Sequence, residues 1–279
     1  MPGAEVVNRA DLVDGLRQLG LGPASEVIVH SSLSSFGSVD GGAEAVCAAL
    51  TEVCGTVLMP AGSWDLTGIP APPGLVRPDN AYWNAADWAE FDEKLSQATS
   101  FRSDLPIDRW LGRVPEVFRQ TCSPLRTTHP LFAYQAAGPA AERLLEAQRP
   151  DWPLGPIEAL DGDVLLLGVT HTSNTTVHLA EQYLGRSRFY RYAKNADGLW
   201  IELPNIPGDS HSFDDLEPVL RSATKEIRIG QARVLRIPKD AVLAATRRLI
   251  EADPAALLCT DNPECRCAAA LRQRLRARR

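Results

Sequence analysis

Three stretches of the chain are apolar almost without interruption: "SEVIVHSSL" over 25–33, "GTVLMPAG" over 55–62 and "DGDVLLLGV" over 161–169. Such runs of valine, isoleucine and leucine, bounded by turn residues, predict strands covered on both faces, as in α/β architecture. The first runs out into a serine-rich loop. The second is closed by Pro60 and Gly62, and the third is entered through Asp161-Gly162. Between the first two the period changes. In "GGAEAVCAALTEVC" residues Ala45, Val46, Ala49, Leu50 and Val53 share one helical face, with Gly41-Gly42 before them and Gly55 after. "NRADLVDGLRQLGL" predicts an earlier amphipathic helix, with Asn8 as N-cap and Leu12, Leu16 and Leu19 inward. The chain therefore opens helix–strand–helix–strand.

Further along, "IDRWLGRVPEVFRQ", "GPAAERLLEAQ" and "KDAVLAATRRLIEADP" have helical spacing, the last ending before Pro254. "RFYRYAKNADGLWIELPNI" reads as two strands joined across Asn-Ala-Asp-Gly. The segment 62–105 differs: it is rich in Pro, Gly, Asn and Trp and has no clear period. Loops of this length inside a domain are usually functional or disordered. Trp64, Tyr82, Trp83 and Trp88 argue against disorder and for an ordered wall or lid. Whether Tyr82, Trp83 and Trp88 face a substrate or pack beneath the loop is open from sequence. The expected architecture is one mixed α/β domain over 1–279. It has a central sheet flanked by helices and a smaller β-containing lobe around 186–237.

With 279 residues, 44% hydrophobic and 23% charged, the chain can build a substantial soluble core. Its net charge of −6 argues against a nucleic-acid partner, whose binding proteins are usually basic. No apolar run has the length of a membrane span, and no secretory leader opens the chain, so a cytoplasmic protein is expected. Of the six cysteines, Cys47 and Cys54 lie on a helix and its exit, which favours buried reduced thiols. Cys259, Cys265 and Cys267 in "CTDNPECRC" offer three sulfurs at spacings unlike paired C-x-x-C knuckles. Thiols of a C-terminal tail, rather than a metal site, are the expectation.

Three segments carry candidate chemistry. In "VHSSLSSFGSVDGG" a strand passes through a hydroxyl-rich loop into a helix, a place for an anion or simply a βα turn. It has neither the GK[ST] of a Walker loop nor G-x-G-x-x-G. In "PLRTTHP", residues 124–130, an arginine and hydroxyls can clamp a phosphate or carboxylate; equally, His129 can pack against Pro130. "GVTHTSNTTVHLAEQYLG", residues 168–185, follows the third strand. On a helix beginning near Thr175, His178 and Glu181 lie three apart on one face. A carboxylate beside an imidazole fixes its tautomer and suits a general base, although a surface ion pair has the same spacing. A metallohydrolase reading with His171 lacks H-E-x-x-H and a further ligand.

Taken in order, "VHSSLSSFGSVDGGAEAVCAAL", "GTVLMPAGSWD", "LGRVPEVFR", "LRTTHP" and "LLLGVTHTSNTTVHLAE" resemble the aminoglycoside 3-N-acetyltransferase family of antibiotic acetyltransferases, from about residue 8 to residue 260. The resemblance implies a mixed α/β fold that uses acetyl-CoA, without a metal, to acetylate an aminoglycoside amine at the 3-position and confer resistance. By motif, Ser31, Ser32, Leu33, Ser34, Ser35, Phe36 and Gly37 would hold the pantetheine and phosphate portion of CoA. Arg126, Thr128 and His129 would lie near the cofactor. His178, supported by Glu181, would be the catalytic pair. Trp64, Asp65, His171, Thr172, Asp214 and Asp215 would form the acceptor groove. The sequence departs from the family pattern where Thr172 replaces an aspartate after the histidine, removing a carboxylate that would hold an ammonium. Leu111-Gly112 stands for Met-Gly, and the 62–105 segment is unusually aromatic. Acetylation of another amine, such as a biosynthetic intermediate, is the chief alternative, and non-catalytic ligand binding a remote one. A monomer and a homodimer are equally compatible.

Overall fold

The computed structural model describes residues 6–75, 77, 83–260, 262 and 264–277. The three apolar runs become β1 (Glu26–Ser31), β2 (Thr56–Pro60) and β6 (Asp163–Leu167), adjacent and parallel at the centre of a sheet. The other strands are β3 (Gly68–Ile69), β4 (Leu125–Arg126), β5 (Tyr134–Ala137), β7 (Phe189–Lys194), β8 (Trp200–Ile206), β9 (Lys225–Ile229) and β10 (Ala232–Pro238). The central sheet is seven-stranded, ordered β4-β5-β2-β1-β6-β10-β9, with antiparallel pairs on both flanks of the parallel core.

Alternation along the central strands divides the core into two layers, because successive side chains point to opposite faces. Val27, Val29, Leu165 and Leu167 pack on one side with helices Arg9–Gln18, Gly42–Val53 and Arg113–Thr121. Ile28, Val164 and Leu166 pack on the other with helices Ala141–Glu146, Gly155–Ala159, Thr176–Tyr183 and Lys239–Ala252. Cys47 and Cys54 are buried free thiols in the first layer. The helix Thr176–Tyr183 is buried over nearly its whole length, so His178 and Glu181 do not form a surface ion pair.

The smaller β unit is narrower than expected. It contains β3, β7 and β8, and the predicted hairpin is present. Residues 225–238, expected in that lobe, instead form β9 and β10 of the central sheet. β10 has buried Val234, Leu235 and Ile237 against β6, whereas β9 is an edge strand whose Lys225, Glu226 and Arg228 face water. Charge on an edge strand is ordinary protection against further pairing, and it masked the strand pattern. The segment 62–105 contains one helical turn, Trp64–Thr67, and a helix, Trp88–Gln97. That helix has an N-cap signal overlooked in the sequence: Asp87 accepts from the Glu90 amide while Glu90 accepts from the Ala86 amide. Trp88 is exposed with its ring edge against Phe91, which in turn meets Trp200 of the small sheet. Tyr82 lies outside the described residues.

The N-cap expectation for Asn8 is met by a reciprocal capping box, in which Asn8 Oδ1 accepts from the Ala10 and Asp11 amides and Asp11 accepts from the Asn8 amide. Asn8→Ala is expected to cost about 1 kcal/mol, whereas Asn8→Asp should be nearly neutral. Urea denaturation of the two variants beside the parent checks this; equal midpoints for all three would refute the cap.

Candidate functional site

The carboxyl ends of β1 and β6 emerge side by side, the usual position for ligands in open α/β sheets. β1 passes at Ser31 into a 3₁₀ turn, Leu33–Phe36. β6 ends at Gly168, whose φ of +68° suits glycine, and a Cβ there would lie 2.4 Å from the Ser35 Cβ. Ser35 Oγ donates to the Gly168 carbonyl at 2.7 Å, tying the two loops together. Between them lies a cleft of about 1180 Å³.

Ser31, Ser32, Leu33, Ser34 and Gly37 line this cleft, but Ser35 and Phe36 do not. Ser35 is the loop-to-loop tie, and Phe36 is fully buried in the core. The amides of Ser32, Ser35 and Gly37 already donate to the carbonyls of Leu167, Ser32 and Ser34, which removes them as oxyanion donors. Ser31 Oγ and His30 Nε2 are buried without a partner among the described residues, and both side chains border the cleft. Burial pushes the His30 imidazole down to about 4, so it is neutral near pH 7.

His178 reaches the cleft from the helix Thr176–Tyr183. Its Nδ1 donates to Glu181 Oε2 at 2.6 Å, leaving Nε2 as the nitrogen available to a ligand. Glu181 is fully buried, and its other oxygen accepts from Arg186 Nε at 2.8 Å, with Arg186 Nη2 in ion-pair contact at 2.7 Å. Arg186 is also fully buried and donates to the carbonyls of Pro254 and Ala256. Burial opposes ionisation of Glu181, but Arg186 and His178 outweigh it and hold the carboxyl below its usual range. The helix terminus builds this contact. Gly185, at φ +73°, donates to Gln182, and the Arg186 amide donates to the Glu181 carbonyl at 2.9 Å, a Schellman ending. The turn brings Arg186 beneath the carboxylate five residues earlier. Ser187 Oγ lies 3.4 Å from His178 Nδ1, and the Phe213 ring meets the imidazole at a centroid distance of 4.9 Å.

The acceptor-groove residues divide. Trp64, Asp65 and Thr172 line the cleft. The amides of Trp64 and Asp65 donate to the buried Asp108 carboxylate at 2.7 and 2.9 Å, which orients the turn carrying Asp65. Burial raises the Asp108 carboxyl although those two amides favour its charged form. His171 is buried outside the cleft lining, accepts from Asn174 Nδ2 at 3.3 Å, and is held below its ordinary range chiefly by burial. Asp214 and Asp215 are exposed; Asp214 reaches the site only by accepting from the Thr172 amide at 3.3 Å.

Arg126, Thr128 and His129 are not brought to this cleft and border a separate cavity of about 580 Å³. The Arg126 guanidinium donates to the carbonyls of Ser103, Leu105 and Ala61 and to Ser63 Oγ, so its hydrogen bonds pin backbone segments. Burial pushes Arg126 down to about 10. His129 Nδ1 accepts from the Leu131 and Phe132 amides, and burial pushes this imidazole down to about 4. Sequence reasoning overlooked His30, Arg186, Asp108, Trp110 and Arg113. Trp110 and Arg113 are exposed on the cleft wall, and Arg113 makes no ion pair among the described residues. Gly185 before Arg186 was the one readable signal, since a glycine after a helix reverses the chain; nothing local marks the others.

The family model described as aminoglycoside 3-N-acetyltransferase matches residues 28–251. The chain is 34% identical over 186 residues to aminoglycoside N(3)-acetyltransferase VIII of Streptomyces fradiae, covering 63% of this chain and 60% of that protein. The matched part thus spans about three fifths of that relative's length. With aminoglycoside N(3)-acetyltransferase VII of Streptomyces paromomycinus it is 32% identical over 225 residues, covering 75% of this chain and 74% of the relative. Among solved structures, aminoglycoside acetyltransferase AAC(3)-IVa in complex with a gentamicin superposes with a TM-score of 0.75 at 26% identity, covering 98% of this chain and 100% of that one. The mixed α/β fold and these matches agree: the chain belongs to the aminoglycoside 3-N-acetyltransferase family.

Proposed function

We propose that this chain is an acetyl-CoA-dependent N-acetyltransferase that modifies an aminoglycoside at its 3-amino group and thereby confers resistance. The observation that carries the reading is the buried His178–Glu181–Arg186 chain, whose histidine opens onto the cleft. The cleft volume of about 1180 Å³ exceeds the roughly 300–1,000 Å³ typical of single-ligand pockets, which suits two substrates meeting in it. The acceptor is a cation and the chain carries a net charge of −6, a favourable long-range field. Among the described residues no helix is long and apolar enough to cross a membrane, and we place the protein in the cytoplasm with small molecules as its ligands.

A protonated amine cannot attack a thioester. In this reading the ammonium first gives up one proton to solvent, and Nε2 of His178 accepts a second from the neutral amine nitrogen as it bonds to the acetyl carbonyl carbon. Glu181 holds the Nδ1–H tautomer and stabilises the imidazolium that forms, while Arg186 holds Glu181. The tetrahedral adduct then breaks its carbon–sulfur bond, releasing the amide and the CoA thiolate, which takes up the proton. Ser31, Ser32, Leu33, Ser34 and Gly37 would line the pantetheine path, with Arg113 and Trp110 at its rim as further contacts. Trp64, Asp65 and Thr172 would face the acceptor. Ser35, Phe36, His171, Asp214 and Asp215 would support these walls, and Arg126, Thr128 and His129 would brace the scaffold. No step requires a metal, because the thioester is already activated.

One observation favours a second acceptor class. Among the described residues, Asp65 is the only carboxylate that lines the cleft, and Thr172 stands where a second would lie. A less cationic amine, such as a biosynthetic intermediate, would tolerate that surface better. A panel of aminoglycosides and simpler amines, followed by release of free thiol from acetyl-CoA, separates the two. No thiol release with any amine would reject the enzyme reading altogether.

His178→Ala is expected to lower kcat by about 10²–10⁴-fold without loss of fold, measured by steady-state kinetics beside circular dichroism. Near-normal turnover would sink the general-base role. Glu181→Gln leaves the buried Arg186 unpaired and should destabilise the protein by about 3–5 kcal/mol. A carboxyl depressed in the folded state contributes stability above its unfolded pKa of about 4.3 and loses it as pH falls through the lower folded value. The stability difference between parent and variant should thus be constant near neutrality and narrow at acid pH. A pH-independent difference in denaturation experiments would contradict this ionised pair.

A further inference from the structure

The C-terminal cysteines acquire a partner that their own segment does not contain. Cys259, Cys265 and Cys267 meet His211, which is 48 residues upstream of Cys259. One ligand atom from each of the four lies within 4.8 Å of all the others. Cys259 Sγ is 3.2 Å from Cys265 Sγ, 3.5 Å from Cys267 Sγ and 3.4 Å from His211 Nδ1. A tetrahedral zinc ion with bonds of about 2.3 Å to sulfur and 2.0–2.1 Å to nitrogen needs sulfurs about 3.8 Å apart and nitrogen about 3.5 Å from each. A disulfide needs about 2.05 Å, so the sulfurs are gathered without being joined. We propose that His211, Cys259, Cys265 and Cys267 form a structural Cys₃His zinc site.

The chemistry selects the ion. Three thiolates and one imidazole are soft donors that suit zinc and not calcium or magnesium. Four protein ligands close the coordination shell, which marks a structural rather than a catalytic site. The backbone supports the cluster: the Cys267 amide donates to Cys265 Sγ at 3.4 Å, and the Cys265 amide closes a turn on the Asn262 carbonyl. Cys267 also begins the helix Cys267–Ala277, whose N-terminal dipole favours negative sulfur. His211, the more exposed ligand, leaves a path for loading.

The site joins two segments that meet the cleft. Beside it, Asp209 accepts from the Arg266 amide at 2.6 Å. Ser210 Oγ donates to the Thr172 carbonyl at 2.6 Å, and the Gly208 amide donates to Ser187 Oγ at 2.8 Å. Pro207, Gly208 and Ser210 line the cleft. The helix Cys267–Ala277 holds Arg188 through Gln273, which accepts from the Arg188 amide and donates to its carbonyl. Zinc would therefore lock the 207–211 wall against the C-terminal helix, a few residues from the neighbours of His178.

The test is metal content of the full chain, expressed with zinc supplementation and purified without a polyhistidine tag. Elemental mass spectrometry should find about one zinc per chain, as a structural site requires. Cobalt exchanged into the protein should show the intense visible bands of tetrahedral thiolate coordination. Cys267→Ser and His211→Ala should each lose most of the metal. Cys259→His, which keeps a ligand, should retain more than Cys259→Ala, so poor folding of one variant cannot decide the outcome. Chelation should lower the melting temperature and zinc restore it. On the acetyltransferase reading, chelation should also raise KM for the acceptor more than it lowers kcat; metal content does not depend on that reading. Less than about a tenth of a zinc per chain would overturn the proposal, as would a disulfide among these cysteines by mass spectrometry or undiminished metal in Cys267→Ser.

Discussion

The arrangement of the site depends on one buried carboxylate. Glu181 lies in the interior between an imidazole and a guanidinium, with one oxygen committed to each. A carboxylate so placed is costly to desolvate and is retained only because both oxygens are paired and Arg186 is itself held by two carbonyls. The charge is not free to move to another partner without leaving Arg186 uncompensated. His178 is consequently fixed in tautomer and in direction, with its second nitrogen toward the cleft. The Phe213 ring and the Ser187 hydroxyl restrict the imidazole further.

The walls around that histidine are held by backbone contacts as much as by side-chain packing. Gly168 and Ser35 bring the loops after β6 and β1 within contact distance, and a larger residue at 168 would force them apart. Gly230, at the turn between β9 and β10, sits against the Phe36 carbonyl, and the Gln231 amide donates to that oxygen at 3.1 Å. The edge hairpin thus braces the same loop from the other side. Across the cleft, Asp108 collects the amides of Trp64 and Asp65, so the lining carboxylate is set by a second, buried one. Rigid supports of this kind let small loops carry chemistry.

Much of this was legible in the chain. The runs around Val27, Val57 and Val164 have the continuous hydrophobicity that only strands buried on both faces require, and all three lie at the sheet centre. Asn8 announced its helix through capping chemistry, and His178 and Glu181 announced their shared face through spacing of three. Local pattern failed where partners are remote. β9 hides as an edge strand under charge, and the described residues of the 62–105 segment pack against β7 and against Trp200 of β8, partners that no local period announces.

By itself the sequence determined the α/β class, the central strands, the helix that carries the histidine–glutamate pair and the family resemblance, because each rests on spacing within a few turns or on motifs of neighbouring residues. Tertiary structure alone decided which candidate residues share a cleft. Arg126 and His129 looked like ligand contacts, yet Arg126 answers a carbonyl 65 positions away and His129 accepts from the amides of its own turn. Ser35, inside a binding-loop motif, ties two loops together. His211 joined the C-terminal cysteines across 48 positions that no local spacing rule spans. Side-chain spacing is a property of one element, whereas the pairing of buried polar groups is settled only when elements pack and water is removed.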